Sequence, residues 1–107
     1  MKDNLIQKKS FEFSVKIIEL YRLLQDQKEF VLSKQLLRSG TSIGANIEEA
    51  IAAQSKKDFI AKLSIACKEA RETNYWIKLL DATKLVKNIE FAVYLEEINS
   101  ILNIIKK

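Results

Sequence analysis

No proline occurs in this 107-residue chain, and glycine occurs only twice, at Gly40 and Gly44. Tight turns between strands draw on both residues, whereas a helix interior is damaged by them. Their scarcity therefore points to an all-α fold. Apolar residues make up 48% of the chain and charged residues 30%, too much hydrophobicity for a disordered polymer. A single domain over 1–107 is expected, able to bury about 65% of its unfolded surface without staples.

The apolar residues recur in four helical stripes. Phe13, Ile17, Leu20, Tyr21 and Leu24 place a first helix at about Ser10 to Gln25, followed by a polar break at Asp26-Gln27-Lys28-Glu29. Ser33 has the character of an N-cap for a second helix, about Lys34 to Gln54, whose stripe is Leu36, Ile43, Ile47 and Ala50. The four-residue spacing of Gly40 and Gly44 puts both on one face, open to close approach by another backbone. A break at Gly40 is the alternative, but the apolar phase is unchanged across it. Ser55-Lys56-Lys57-Asp58 resembles a capping box and opens a third helix, about Lys56 to Thr83. There Phe59, Leu63, Ala66, Ala70, Thr73 and Ile77 follow a heptad rhythm. The last helix, about Ile89 to Lys106, carries Phe91, Tyr94, Leu95, Ile98, Ile101, Leu102 and Ile105. Short breaks make neighbouring helices antiparallel, so the expected architecture is an up-and-down four-helix bundle.

A second apolar stripe bears on assembly. Ile65, Trp76 and Leu79 fall roughly 160° to 220° from Leu63 around the third helix, and Leu37 and Ile51 flank the stripe of the second. A monomer would leave such a surface in water, so these five residues are the expected interface of a homo-oligomer. The alternative is a third helix covered on both sides by its own domain.

The chain has no histidine. That removes the commonest general base, every imidazole-based triad, and the Glu-x-x-His ligands of di-iron bundles. Glu69 and Glu72 share helix faces with Glu48, Glu49 or Glu97 in a conceivable carboxylate site, but solvated ion pairs explain them better. Cys67 is the only cysteine; it makes neither a disulfide nor a thiolate zinc site and reads as a buried inert thiol. Ser39-Gly40-Thr41-Ser42-Ile43-Gly44 lacks the lysine of a P-loop. No catalytic residue, metal or cofactor is expected. Met1 to Ser10 has no secretory apolar stretch, and no segment approaches the roughly 20 apolar residues of a membrane span. A cytoplasmic protein with no membrane partner is the expectation.

Net charge is +4, compatible with an anionic partner. Lys34 and Arg38 lie one turn apart on the second helix, Lys56 and Lys57 start the third, and Lys106 and Lys107 close the chain. Symmetric assembly would repeat each pair around a ring.

The run Leu36-Leu37-Arg38-Ser39-Gly40-Thr41-Ser42-Ile43-Gly44-Ala45-Asn46-Ile47-Glu48-Glu49-Ala50 resembles the central motif of the proteins encoded in intervening sequences of bacterial 23S rRNA genes. Asp58-Phe59-Ile60 and Lys68-Glu69-Ala70-Arg71-Glu72-Thr73-Asn74-Tyr75-Trp76 resemble the second signature of that family, with Asn74 in place of an acidic residue. The resemblance implies a four-helix bundle assembled into a ring, a pentamer, and kinship with the accessory variability protein of diversity-generating retroelements, which binds nucleic acid and a reverse transcriptase. It brings no catalytic residue with it. The expected function is non-enzymatic, oligomeric nucleic-acid binding, with RNA favoured over DNA and Lys34, Arg38, Lys56 and Lys57 neutralising phosphates. Tyr75 and Trp76 are expected in packing rather than base stacking, so little sequence specificity follows. The rival reading is a scaffold that recruits a protein partner through its helix faces.

Overall fold

The computed structural model describes residues 3–106, with side chains from residue 5 onward; Lys107 of the expected C-terminal basic pair lies outside it. Four helices and no strand occur among the described residues: α1 (Asp3–Asp26), α2 (Leu32–Ile51), α3 (Lys56–Thr83) and α4 (Phe91–Ile105). α1 packs on α2, α2 on α3, α3 on α4, and α4 returns to α1. The body measures 44 × 21 × 18 Å. A 28-residue helix such as α3 is about 42 Å long, so the helices run along the long axis.

Each helix buries one stripe. Ile6, Phe13, Ile17, Leu20 and Leu24 face inward from α1, and Leu36, Ile43 and Ile47 from α2. Ala66, Ala70, Ile77 and Leu80 do so from α3, and Ile98, Ile101 and Leu102 from α4. α2 is continuous through both glycines, because both serve close approach to α1. A Cβ on Gly40 would come within 2.8 Å of Ile17 Cγ2, and one on Gly44 within 3.3 Å of the Ser10 carbonyl oxygen. A buried hydroxyl pair joins the next two helices, Thr73 Oγ1 lying 2.9 Å from Ser39 Oγ.

The helix ends refine the sequence reading. α1 closes with Lys28 in the left-handed region (φ 64°), the Glu29 N–H donating to the Leu24 carbonyl and the Lys28 N–H to that of Gln25, each at 2.9 Å. Ser33 is not the N-cap of α2. The helix begins at Leu32, Ser33 is buried in its first turn, and the Glu29 carboxylate accepts the Val31, Leu32 and Ser33 N–H groups at 3.3, 3.1 and 2.6 Å. Val31 occupies the cap position without a side-chain acceptor, so the longer Glu29 reaches in from behind. Ser55 does cap α3, accepting the Asp58 N–H at 3.0 Å. α2 stops at Ile51 rather than Gln54, and α4 starts at Phe91 rather than Ile89. The α1–α2 and α3–α4 connections are clamped together: Gln27 donates to the Lys87 carbonyl at 2.6 Å and accepts the Lys87 N–H at 2.7 Å.

Candidate nucleic-acid interface

The heptad that buries one face of α3 leaves a second row, half a turn away, entirely in solvent. Lys57, Ala61, Ser64, Lys68, Arg71, Tyr75, Lys78 and Ala82 repeat at alternating steps of four and three, and every one is exposed. This row carries four cations and no carboxylate. Lys57 to Lys78 spans about 31 Å of helix axis. Among the described residues none of the four is ion-paired; Arg71 Nη1 donates a hydrogen bond to Cys67 Sγ at 3.4 Å.

The acidic residues of α3 are turned elsewhere. Glu69 and Glu72 face α2, where both pair with Arg38, Glu69 at 3.3 Å. Glu72 also accepts the Trp76 indole N–H at 3.2 Å. That indole bond, opposed by partial burial and assisted by Arg38, holds the Glu72 carboxyl below its ordinary pKa. Partial desolvation pulls the Arg38 guanidinium down, but its bonds to Glu72 and Glu69 outweigh this and hold it above its ordinary value. Asp81 is exposed beside Lys84, 3.8 Å away. Folding thus gathers four cations on the outer row and places Glu69 and Glu72 at the α2 seam, while Asp58 and Asp81 stay exposed off the row.

The four cations expected from sequence do not form one cluster. Lys34 is exposed on α2, and Arg38 beside it is occupied by two carboxylates. Lys56 and Lys57 are exposed at the start of α3, about 22 Å along the helix from the Arg38 contact at Glu72. Only Lys57 joins the cationic row. Lys68, Arg71 and Lys78 were missed, although reading the α3 heptad from its polar side would have found them. Tyr75 also departs from expectation: it is 57% exposed, whereas Trp76 packs against the core.

The five expected interface residues are likewise divided. Leu37, Ile51 and Trp76 lean on the core of their own chain, Leu79 is half-buried, and Ile65 is exposed. The more open apolar surface is on α1, where Phe11 (67% exposed), Val15 (43%) and Ile18 (42%) form a stripe pointing away from the core. Beside it, Phe11, Val15 and Ile101 help line an open groove of about 700 Å³ between α1 and α4, whose borders include Glu12, Glu19, Glu96 and Glu97. Lys16 crosses this groove to pair with Glu97, and that bond raises its pKa. The carboxylates considered for a metal site are dispersed: Glu48 accepts from Gln7 at 3.0 Å, Glu97 pairs with Lys16, and Glu69 and Glu72 hold Arg38. Among the described residues no group of three or more potential ligands gathers, and no helix is long and apolar enough to cross a membrane.

The family model described as 23S rRNA-intervening sequence protein matches residues 2–107. The chain belongs to that family. A solved structure agrees: the crystal structure, at 1.70 Å, of a protein with unknown function from the S23 ribosomal protein family of Bacteroides thetaiotaomicron is 52% identical. The alignment covers 100% of both chains with a TM-score of 0.91. No curated protein matches. In this intervening-sequence family member, the Leu36–Ala50 run forms most of α2, including the glycine face against α1. The Lys68–Trp76 run forms the middle of α3 and contributes Lys68, Arg71 and Tyr75 to the cationic row.

Proposed function

We propose that this chain is a non-enzymatic, oligomeric nucleic-acid-binding protein of the cytoplasm, with RNA favoured, which binds chiefly by neutralising phosphates. The observation that carries this reading is the row of Lys57, Lys68, Arg71 and Lys78 on α3, free of carboxylates along about 31 Å of helix. Cations that are neither paired nor buried can release counterions from a polyanion, whereas Arg38 is already satisfied by Glu69 and Glu72. The circular packing order and short connections support an antiparallel up-and-down four-helix bundle. The exposed Phe11–Val15–Ile18 stripe supports self-association, and the motif resemblance to the intervening-sequence family implies a ring, with five subunits expected. Each subunit would then present one cationic row, and the rows together would form a basic belt.

Titration of fluorescent RNA at increasing salt tests the reading. Neutralising about four phosphates of a single strand gives a log–log slope near −3. Replacing Lys68 and Arg71 by alanine is expected to halve that slope, while Lys34→Ala alters it little. Failure to bind RNA or DNA at about 50 mM salt, where electrostatic binding is strong, would defeat the proposal. The scaffold reading would replace it, favoured by the acid-bordered groove between α1 and α4.

A further inference from the structure

We infer that the α3 row discriminates single-stranded from double-stranded nucleic acid, with Tyr75 as a platform on which a base stacks. This rests on the nucleic-acid-binding reading and adds the class of ligand. Tyr75 stands one turn after Arg71 and one turn before Lys78, so a phenol ring interrupts the cationic row between its last two cations. The residue is 57% exposed, although a tyrosine with only a packing role would turn its apolar body inward. Its orientation is also set. Tyr75 and Trp76 meet edge to face, centroids 5.3 Å apart and planes at 67°. Trp76 is itself fixed by its bond to Glu72 at 3.2 Å and by contact with the core. A ring already held in place loses little freedom when a base settles on it.

Cations alone cannot tell strand number, because single and double strands both offer phosphates. An aromatic face can. In a duplex the base faces are occupied by stacking and only edges and backbone are presented, whereas a single strand can turn a base onto a tyrosine. Lys68 and Lys78 stand about 15 Å apart along the helix axis, so their long side chains bracket Tyr75 and can hold phosphates on both sides of one stacked nucleotide. Every base has such a face, so the site distinguishes strandedness while remaining tolerant of sequence.

The test uses the full-length protein and two labelled probes at about 50 mM salt: a 20-nucleotide oligouridylate and a 20-base-pair RNA duplex. The single strand is expected to bind at least about tenfold more tightly per site, consistent with stacking of one base. Tyr75→Ala is expected to weaken single-strand binding by about 5- to 100-fold with the salt slope unchanged, and to leave duplex binding within about twofold. Tyr75→Phe should retain single-strand affinity, since it keeps the ring. Both variants alter the same exposed position, so helical content by circular dichroism should not change. Equal affinity for the two probes, or equal losses on both in Tyr75→Ala, overturns this inference while leaving phosphate-driven binding intact. Absence of binding to either probe overturns both proposals. Poly-glutamate competing as well as the oligouridylate also overturns it, because the row would then recognise any flexible polyanion, acidic protein included.

Discussion

Glu72 links the α2 seam to the outer row: it accepts a hydrogen bond from the Trp76 indole N–H and pairs with the guanidinium of Arg38, and Trp76 in turn props Tyr75. The Arg38 contact is half open to water and contributes at most about 1 kcal/mol. Its titration nevertheless has a definite sign. The folded carboxyl has a depressed pKa, first through Trp76 and then through Arg38, against partial burial. Its stabilising contribution is therefore full above the unfolded-chain value of about 4.3, and is lost as pH falls through the lower folded value. Urea midpoints taken from roughly pH 6 to pH 2 should drop more for the wild type than for Glu72→Gln, the curves converging at the acid end. Parallel curves would remove Glu72 from acid unfolding. Asn74 presents a different case. Its side-chain oxygen is buried without a hydrogen-bond partner among the described residues. Nothing in the structure explains why asparagine is used.

The seam between α1 and α2 depends on two missing side chains. Gly40 costs its helix about 1 kcal/mol relative to alanine, yet alanine would put a Cβ 2.8 Å from Ile17 Cγ2, 2.9 Å from Cγ1 and 3.3 Å from Cβ. Ile17 is fully buried, and its β-branch cannot rotate the Cβ away, so the two helices would have to separate. Overpacking of this kind costs about 1 to 3 kcal/mol. Gly40→Ala is thus expected to lower stability by about 1 kcal/mol net and Tm by about 4–8 °C. Gly44→Ala should do less harm, since its contacts are longer: Ser14 Oγ at 3.1 Å, a small side chain able to yield, and the Ser10 carbonyl oxygen at 3.3 Å, which asks for a shift of only a few tenths of an ångström. Thermal melts of the two variants decide the order, and a more stable Gly40→Ala would mean that α1 sits farther from α2. The glycine face was legible from a four-residue spacing and one uninterrupted apolar phase. The cap of α2 was not, because Ser33 has the right chemistry in the wrong place and Glu29 acts from outside the helix.

Assembly is a property of surface that no single helix reveals. Rotation around α3 alone puts Ile65, Trp76 and Leu79 opposite its core stripe, but Trp76 packs against its own chain's core and bonds to Glu72, which pairs with Arg38 of α2. Phe11, Val15 and Ile18 have no such neighbour and remain in water. Light scattering should therefore report several times the 12.3 kDa subunit mass. Phe11→Glu with Val15→Glu should reduce it to one subunit with helicity intact. Trp76→Glu should instead lower the melting temperature, because it strikes the chain's own packing. A wild-type mass near one subunit would dismiss self-association through α1. Helix number, the α3 start at Ser55 and the inward faces are local consequences of spacing, capping and the absence of proline, and each can be read along one dimension. Which exposed residues lie beside carboxylates and which lie alone is set by neighbours distant in the chain. Arg38 meets Glu69 and Glu72 across two packed helices, so one apparent phosphate contact is neutralised. Lys68, Arg71 and Lys78 are left without an ion pair among the described residues, because Glu69 and Glu72 are held by Arg38.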